Sequence, residues 1–143
     1  MHWGVPSPWL SPIQGPLTEY QRPLAHAIID AGADLIIGNH PHAIHPVEIY
    51  QGKCICYSLG NFVYVDVYPF MAAESILARM SIQSGAIELI PLCLNEHGIP
   101  RRAIGSDAAR ILTNLHDMSV PLDTTIRIQE GRGHPEAGTS TDA

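Results

Sequence analysis

The chain has 143 residues, of which 45% are hydrophobic and 15% are charged. This composition is typical of one globular domain, or part of one, and excludes a disordered chain. The formal net charge is −6, and the basic residues are scattered along the sequence apart from Arg101 and Arg102. The sequence therefore argues against nucleic acid as a partner.

The sequence contains no segment that would direct the chain to a membrane. Its apolar runs are far shorter than the about 20 residues that a membrane-spanning helix needs. Residues 1–10 lack the basic region and apolar core of a secretory signal. Localisation is therefore unknown from the residues alone.

The three cysteines, Cys54, Cys56 and Cys93, all lie in apolar, strand-like runs. Their odd number and their surroundings argue against a disulfide framework and predict buried thiols. Cys54 and Cys56 would share one face of a strand, which leaves a soft-metal pair as the alternative, but no second such pair is present and core packing is favoured.

In chain order, the first predicted elements are a loop, a helix and a buried strand. Prolines at positions 6, 8, 12 and 16 predict the loop. Thr18 is predicted to cap a helix through residues 23–31 that ends at Gly32, with Leu24, Ile28 and Ala31 facing the core. The apolar run at residues 33–38 predicts a strand covered on both faces.

The remaining elements are mainly antiparallel. Residues 47–50 and 53–58 predict a hairpin around Gln51 and Gly52, and residues 74–83 and 86–94 predict a second one around Ser84 and Gly85. A helix at 106–118 and a strand at 124–129 follow. We assign residues 1–130 to the domain and residues 131–143 to a polar, disordered tail, and this order of elements predicts a layered α/β sandwich.

The segment GNHPH, residues 38–42, follows the predicted strand 33–38 directly. Proline at 41 disfavours the helical region for His40, so an extended loop would project His40 and His42 to the same side. Neutral imidazole is a common ligand of zinc, iron and similar ions. The alternative for an arbitrary H-x-H pair is two solvated loop histidines.

The segments HWG, EYQ, IDAGADLIIGNHPH, VEIYQGK and YSLGNF resemble, in order and spacing, the C-terminal part of the CapA family of bacterial poly-gamma-glutamate capsule synthesis proteins. That family resembles the calcineurin-like metallophosphoesterase superfamily. The resemblance covers most of residues 2–130 and implies an α/β/β/α metallophosphoesterase-like sandwich, of which we expect only the C-terminal half here.

The resemblance also implies a metal site and a hydrolase activity. His2 and His40 would be ligands at one divalent metal ion, manganese, iron or zinc, and His42 would reach a second one. Gly60 and Asn61 match a loop near this site without an assigned chemical role. The catalytic residues stay unknown.

The motifs that precede HWG in the family, including the bridging carboxylate, have no counterpart in this sequence. Enzyme activity is therefore an open question, and the alternative is a truncated or degenerate, non-catalytic fragment that acts as an accessory or binding subunit. The resemblance implies a polyanionic or phosphorylated substrate, other capsule synthesis proteins as partners and a place at the bacterial cell envelope. A strand edge left bare at residues 33–38 would favour self-association.

Overall fold

The computed structural model describes residues 17–63 and 73–138. In this part of the chain two α-helices, a short 3-10 helix (Val120–Leu122) and eight strands form a mixed α/β fold with two sheets, as the sequence predicts. The elements are α1 (Gln21–Asp30), β1 (Leu35–Ile37), β2 (Val47–Tyr50), β3 (Lys53–Cys56), β4 (Glu74–Met80), β5 (Ile87–Leu94), β6 (Pro100–Arg102), α2 (Gly105–Ser119), β7 (Thr124–Gln129) and β8 (Arg132–Ala137).

The smaller sheet has the strand order β1-β3-β2. β1 is parallel to β3, and β2 and β3 form the predicted antiparallel hairpin with Tyr50 opposite Lys53. Gln51 and Gly52 both have positive φ, which matches the twist of the two flanking strands. This sheet places the end of β1, and therefore the GNHPH loop, beside the end of β3.

The larger sheet has the order β4-β5-β8-β7, and β6 pairs with β5. The β4–β5 hairpin has the predicted alternation, because Ile76, Ala78 and Met80 belong to or pack against the main core. Ile82 is 92% exposed and lies in the turn, so the apolar face ends before it.

Two hydrophobic clusters hold the sheets and helices together. The larger cluster joins side chains of both sheets with Ile111 and Leu115 of α2. The smaller cluster packs α1 on the other face of the smaller sheet through Ala25, Ile29 and Ile55, among others. Cys54 and Cys56 are buried in the larger cluster with sulfurs 3.8 Å apart, as predicted for core thiols.

The core face of α1 differs from the prediction. Gln21, Ala25 and Ile29 are the buried positions, whereas Leu24 is 42% exposed. The helix begins at Gln21, and its N-terminal cap position is Tyr20 and not Thr18. Ala31 is exposed at the C-cap, so the buried stripe is rotated by about one residue from the predicted one.

The predicted polar tail is wrong for residues 132–137, because Arg132–Ala137 forms β8 and pairs with β7 along its whole length. Gly133 lets this polar segment approach the core, since a Cβ atom there would lie 2.7 Å from Cγ2 of Ile126 and 3.0 Å from Cδ2 of Leu112. Residues 139–143 lie outside the described part.

The two sheets are connected through a short backbone contact. Gly60 forms an antiparallel bridge with Ser75, and the amide of Ile76 donates to the carbonyl of Leu59 at 2.8 Å. A Cβ atom at Gly60 would lie 2.9 Å from the carbonyl oxygen of Glu74. The chain that leaves β3 therefore reaches the edge strand of the larger sheet only without a side chain at position 60.

None of the helices in residues 17–63 and 73–138 is long and apolar enough to cross a membrane.

Candidate functional site

The GNHPH loop and the SLGNF loop meet at the ends of β1 and β3. The amide of Gly38 donates to the carbonyl of Cys56 at 2.7 Å, which extends the parallel pairing beyond β1. Ile44 and Leu59 form an antiparallel bridge further along. The two loops are therefore held together by backbone contacts on both sides of the histidines.

His40 and His42 are neighbours in space as well as in sequence. Their ring centroids are 6.2 Å apart and the rings are tilted by 47°. Both side chains are half-buried, and Pro41 between them is buried. With metal–nitrogen bonds of about 2.0–2.1 Å, imidazoles at this separation suit one ion or two adjacent ions.

The backbone of the loop differs from the predicted extended form. His40 has φ 100° and His42 has φ 57°, in the region that side chains other than glycine rarely adopt. Proline at 41 does exclude the helical region for His40, but the chain turns at both histidines and is not extended. Such conformations cost about 1–3 kcal/mol each and cluster at binding and catalytic sites.

Asn61 fixes the orientation of His42. Nδ1 of His42 lies 2.7 Å from Oδ1 of Asn61, and Nδ2 of Asn61 donates to the carbonyl oxygen of His42 at 3.5 Å. Because Oδ1 can only accept, this contact favours the neutral tautomer with the proton on Nδ1 and the lone pair on Nε2. Metal-binding histidines are commonly held in this way through the nitrogen that does not bind the ion.

The residues present fit a metal site in part. No group of three or more His, Cys, Asp and Glu side chains is arranged to hold a metal ion in the described ranges 17–63 and 73–138. His2, the third predicted ligand, lies outside these ranges. The structure therefore brings two of the three predicted ligands together and leaves the third untested.

A cavity of about 360 Å³ adjoins the two loops. Its lining is mainly apolar, with side chains from β1, β4 and β5, and it includes Gly38 and Asn39 of one loop and Gly60 and Asn61 of the other. An apolar cavity of this kind does not suit a phosphate or carboxylate group. Among the described residues, His40, His42 and Asn61 provide polar side chains beside this cavity.

His45 follows the pair by three residues and is 7% exposed. Neither of its ring nitrogens has a hydrogen-bond partner in the part of the chain that the structure describes. Burial lowers the pKa of His45 below the usual histidine range. A neutral imidazole is therefore favoured there, at the cost of an unpaired N–H.

A second polar cluster surrounds Glu48, whose side chain is 2% exposed. Its carboxylate accepts hydrogen bonds from Nε of Arg22 at 2.9 Å and from the hydroxyl of Tyr57 at 2.7 Å, and Nε2 of His26 lies 2.9 Å away. Burial, and then the contact with Glu48, raises the pKa of Tyr57. These contacts join α1 to β2 and β3, which makes the cluster structural.

The resemblance implies that Gly60 and Asn61 lie in a loop near the site but assigns them no chemical role, so the contact between Asn61 and His42 was not predicted. The signal was present in SLGNF, where a polar side chain follows a glycine directly after a buried strand. The structure adds the specific contact, which is the hydrogen bond between Asn61 and His42.

The structure is a mixed α/β fold in which His40 and His42 lie in the loop that follows β1. Residues 1–65 match the model of the bacterial capsule synthesis protein family PGA_cap. Over this stretch the chain is similar to that family.

Individual relatives extend the match. The chain is 30% identical to the PGA biosynthesis protein CapA of Bacillus subtilis over 131 residues, which are 90% of this chain and 34% of that protein. It is 36% identical to the capsule biosynthesis protein CapA of Bacillus anthracis over 84 residues, 57% of this chain and 20% of that protein. The chain thus spans about a third of the length of the first relative.

A mycobacterial relative has a related name. The chain is 41% identical over 64 residues to a Mycobacterium tuberculosis protein named "Probable polyglutamine synthesis accessory protein". This match covers 44% of the chain and 15% of that protein.

Proposed function

We propose that the chain acts in bacterial poly-gamma-glutamate capsule synthesis and that its GNHPH loop supplies imidazole ligands to a divalent metal ion. The capsule role is supported by the family match over residues 1–65 and by the CapA relatives. The metal site is supported by the hydrogen bond between His42 and Asn61. That bond prepares Nε2 of His42 to donate its lone pair to an ion.

The chemistry that fits best is metal-assisted hydrolysis of a phosphorylated or polyanionic substrate. A bound divalent ion would supply Lewis acidity and a more acidic water molecule. In this proposal His40 and His42 hold the ion, and Asn61 keeps the Nδ1 proton of His42 in place. The other ligands come from residues outside 17–63 and 73–138, for which His2 is the candidate in this sequence.

Metal content tests this proposal directly. The 143-residue chain is purified and loaded with manganese or zinc, and bound metal is measured by mass spectrometry beside His40→Ala, His42→Ala and His97→Ala. His97 is exposed in a turn and serves as the matched control. We expect bound metal in the parent and in the control and a loss in both loop variants.

Two outcomes contradict the metal site. Either the parent binds no metal, or the loop variants retain as much as the His97→Ala control. In both cases the capsule assignment, which depends on sequence similarity, stands without a metal-dependent activity.

An accessory role without catalysis is the second candidate. It is favoured by the absence of a complete ligand group among the described residues. Hydrolysis of a nitrophenyl phosphodiester by the metal-loaded chain separates the two. Turnover that disappears in His42→Ala supports the hydrolase, and metal binding without turnover supports the accessory subunit.

A further inference from the structure

The outer face of the larger sheet collects basic residues in an acidic chain. We define this basic sheet face as Arg79, Glu88, Arg102, Arg127, Arg132, His134 and Glu136. It contains four of the eight Lys and Arg residues of a chain whose formal charge is −6. All of these residues lie outside residues 1–65, the stretch that matches the family model.

Strand register places these side chains on one side of the sheet. Leu89 and Ile126 belong to the core, so the neighbouring residues on their strands point away from it. Arg79 pairs with Glu88 between β4 and β5, and Arg127 pairs with His134 between β7 and β8. Arg102 pairs with Leu92, which lies on the same side of β5 as Glu88.

The arginines already bind carboxylates. Arg132 Nη1 donates to Oε1 of Glu88 at 2.7 Å, and Arg79 forms an ion pair with the same carboxylate. Nε of Arg127 donates to Oε1 of Glu136 at 2.7 Å. The hydrogen bond from Arg132 lowers the pKa of Glu88, and the charges of Arg79 and His134 lower it further.

Guanidinium groups outnumber carboxylates on this face by four to two. Arg102 contacts no carboxylate among the described residues, and its Nη2 donates to the backbone carbonyl of Glu130 at 3.5 Å. Arg79 and Arg127 keep 62% and 51% of their side-chain surface exposed. The face therefore has a local positive potential and accessible donors that are suited to carboxylate groups.

We propose that the basic sheet face binds a polycarboxylate chain of the γ-glutamyl type. The inference depends on the proposed role in polyglutamate synthesis and adds a surface for the polymer, separate from the histidine loop. Successive carboxylates of the polymer replace Glu136 and Glu88 in part and pair with Arg102, which has no acidic partner among residues 17–63 and 73–138. Because these contacts are exposed, binding weakens as ionic strength rises.

The chain contains a matched pair of variants for the test. Arg101 and Arg102 are adjacent and exposed residues of β6 that point to opposite faces. Binding of a fluorescent γ-linked oligoglutamate is measured by anisotropy for the parent chain, Arg102→Gln and Arg101→Gln. We expect Arg102→Gln to weaken binding roughly tenfold and Arg101→Gln to leave it nearly unchanged.

A third variant is designed to strengthen binding of the oligoglutamate. Glu136 is 51% exposed and pairs with Arg127, so Glu136→Gln removes a competing carboxylate without touching the core. We expect tighter binding of the oligoglutamate. Circular dichroism and thermal unfolding verify that all three variants remain folded.

Three outcomes overturn the inference: no measurable binding by the parent, equal losses in Arg101→Gln and Arg102→Gln, or stronger binding of a single-stranded oligonucleotide than of the oligoglutamate. Metal content of Arg102→Gln separates this inference from the metal site. If Arg102→Gln binds as much metal as the parent but less polymer, the metal site and the polymer surface are both supported. If it binds as much metal and as much polymer as the parent, only the polymer surface is ruled out.

Discussion

Oδ1 of Asn61 and Nδ1 of His42 are 2.7 Å apart and join two loops that are 19 residues apart in sequence. This contact holds the imidazole of His42 in one tautomer and one orientation. The same side chain also reaches the backbone carbonyl of His42. Asn61 is 7% exposed, so water competes little for these bonds.

Asn61→Ala is expected to lower metal affinity by about 10–100-fold, because the ring of His42 loses its fixed orientation. Titration with zinc or manganese at neutral pH measures the change. Asn114→Ala, at an exposed position of α2, is the matched control. Equal affinities of the two variants would refute the positioning role of Asn61.

His40→Gly is expected to be more stable than His40→Ala by about 1 kcal/mol, because glycine accepts φ 100° without strain. Urea unfolding of the two variants measures the difference. The same pair of substitutions at Thr113, inside α2, should give the opposite order, since glycine destabilises helix interiors by about 1 kcal/mol. A less stable His40→Gly would mean that the loop stores no backbone strain.

Tyr57→Phe is expected to destabilise the chain by about 1–3 kcal/mol at neutral pH, since buried Glu48 loses a hydrogen bond. The pKa of Tyr57 is raised in the folded state, so folding favours the protonated phenol. The contribution of Tyr57 to the free energy of unfolding is therefore complete below the unfolded pKa of about 10, and it is lost as pH rises above that value.

Unfolding free energies of the parent and Tyr57→Phe at neutral and alkaline pH test this. The difference between them should shrink above about pH 10. Tyr20→Phe, at an exposed tyrosine, controls for alkaline effects elsewhere. A constant difference across the pH range would contradict the raised pKa.

His45→Leu is expected to stabilise the chain by about 1 kcal/mol or more, because leucine removes an unpaired buried N–H. The pKa of His45 is lowered by burial, so the unfolded chain binds a proton more readily than the folded one. The free energy of unfolding is therefore unaffected by this proton above the unfolded pKa of about 6.5, and it falls as pH drops below that value.

The free energy of unfolding, measured at and below neutral pH, tests this expectation. Parent and His45→Leu are unfolded by urea between about pH 7.5 and about pH 5.5, which is about one unit on either side of the unfolded histidine pKa. The parent should lose more stability than the variant, whereas His97→Leu should follow the parent. Parallel slopes for parent and His45→Leu would rule out a buried neutral imidazole.

The sequence predicts correctly those helices and strands whose signals lie within a few neighbouring residues. The β2–β3 hairpin, α2 and β7 lie where turn residues and periodicity place them. β7 agrees with the predicted residues 124–129 in full. In each case neighbouring residues carry enough information to define the element.

Features that depend on distant partners were not predictable in this way. α1 is rotated because Arg22 and His26 reach the buried carboxylate of Glu48, 26 and 22 residues further on. β8 looks like a polar tail because its outward residues are charged, and Gly133 is the only buried residue of this strand. The His42–Asn61 contact likewise requires both loops to be in place, so the histidine pair was predictable and its orientation was not.

Gly60 has no side chain to bind anything, yet the geometry of His42 depends on it. The residue lies against Glu74 and Ser75 of the larger sheet and immediately precedes Asn61. Any larger residue would push the two sheets apart at this contact and carry the amide of Asn61 away from the imidazole. The proposed metal site would therefore be lost with both histidines intact, because one added methyl group would separate the two backbones.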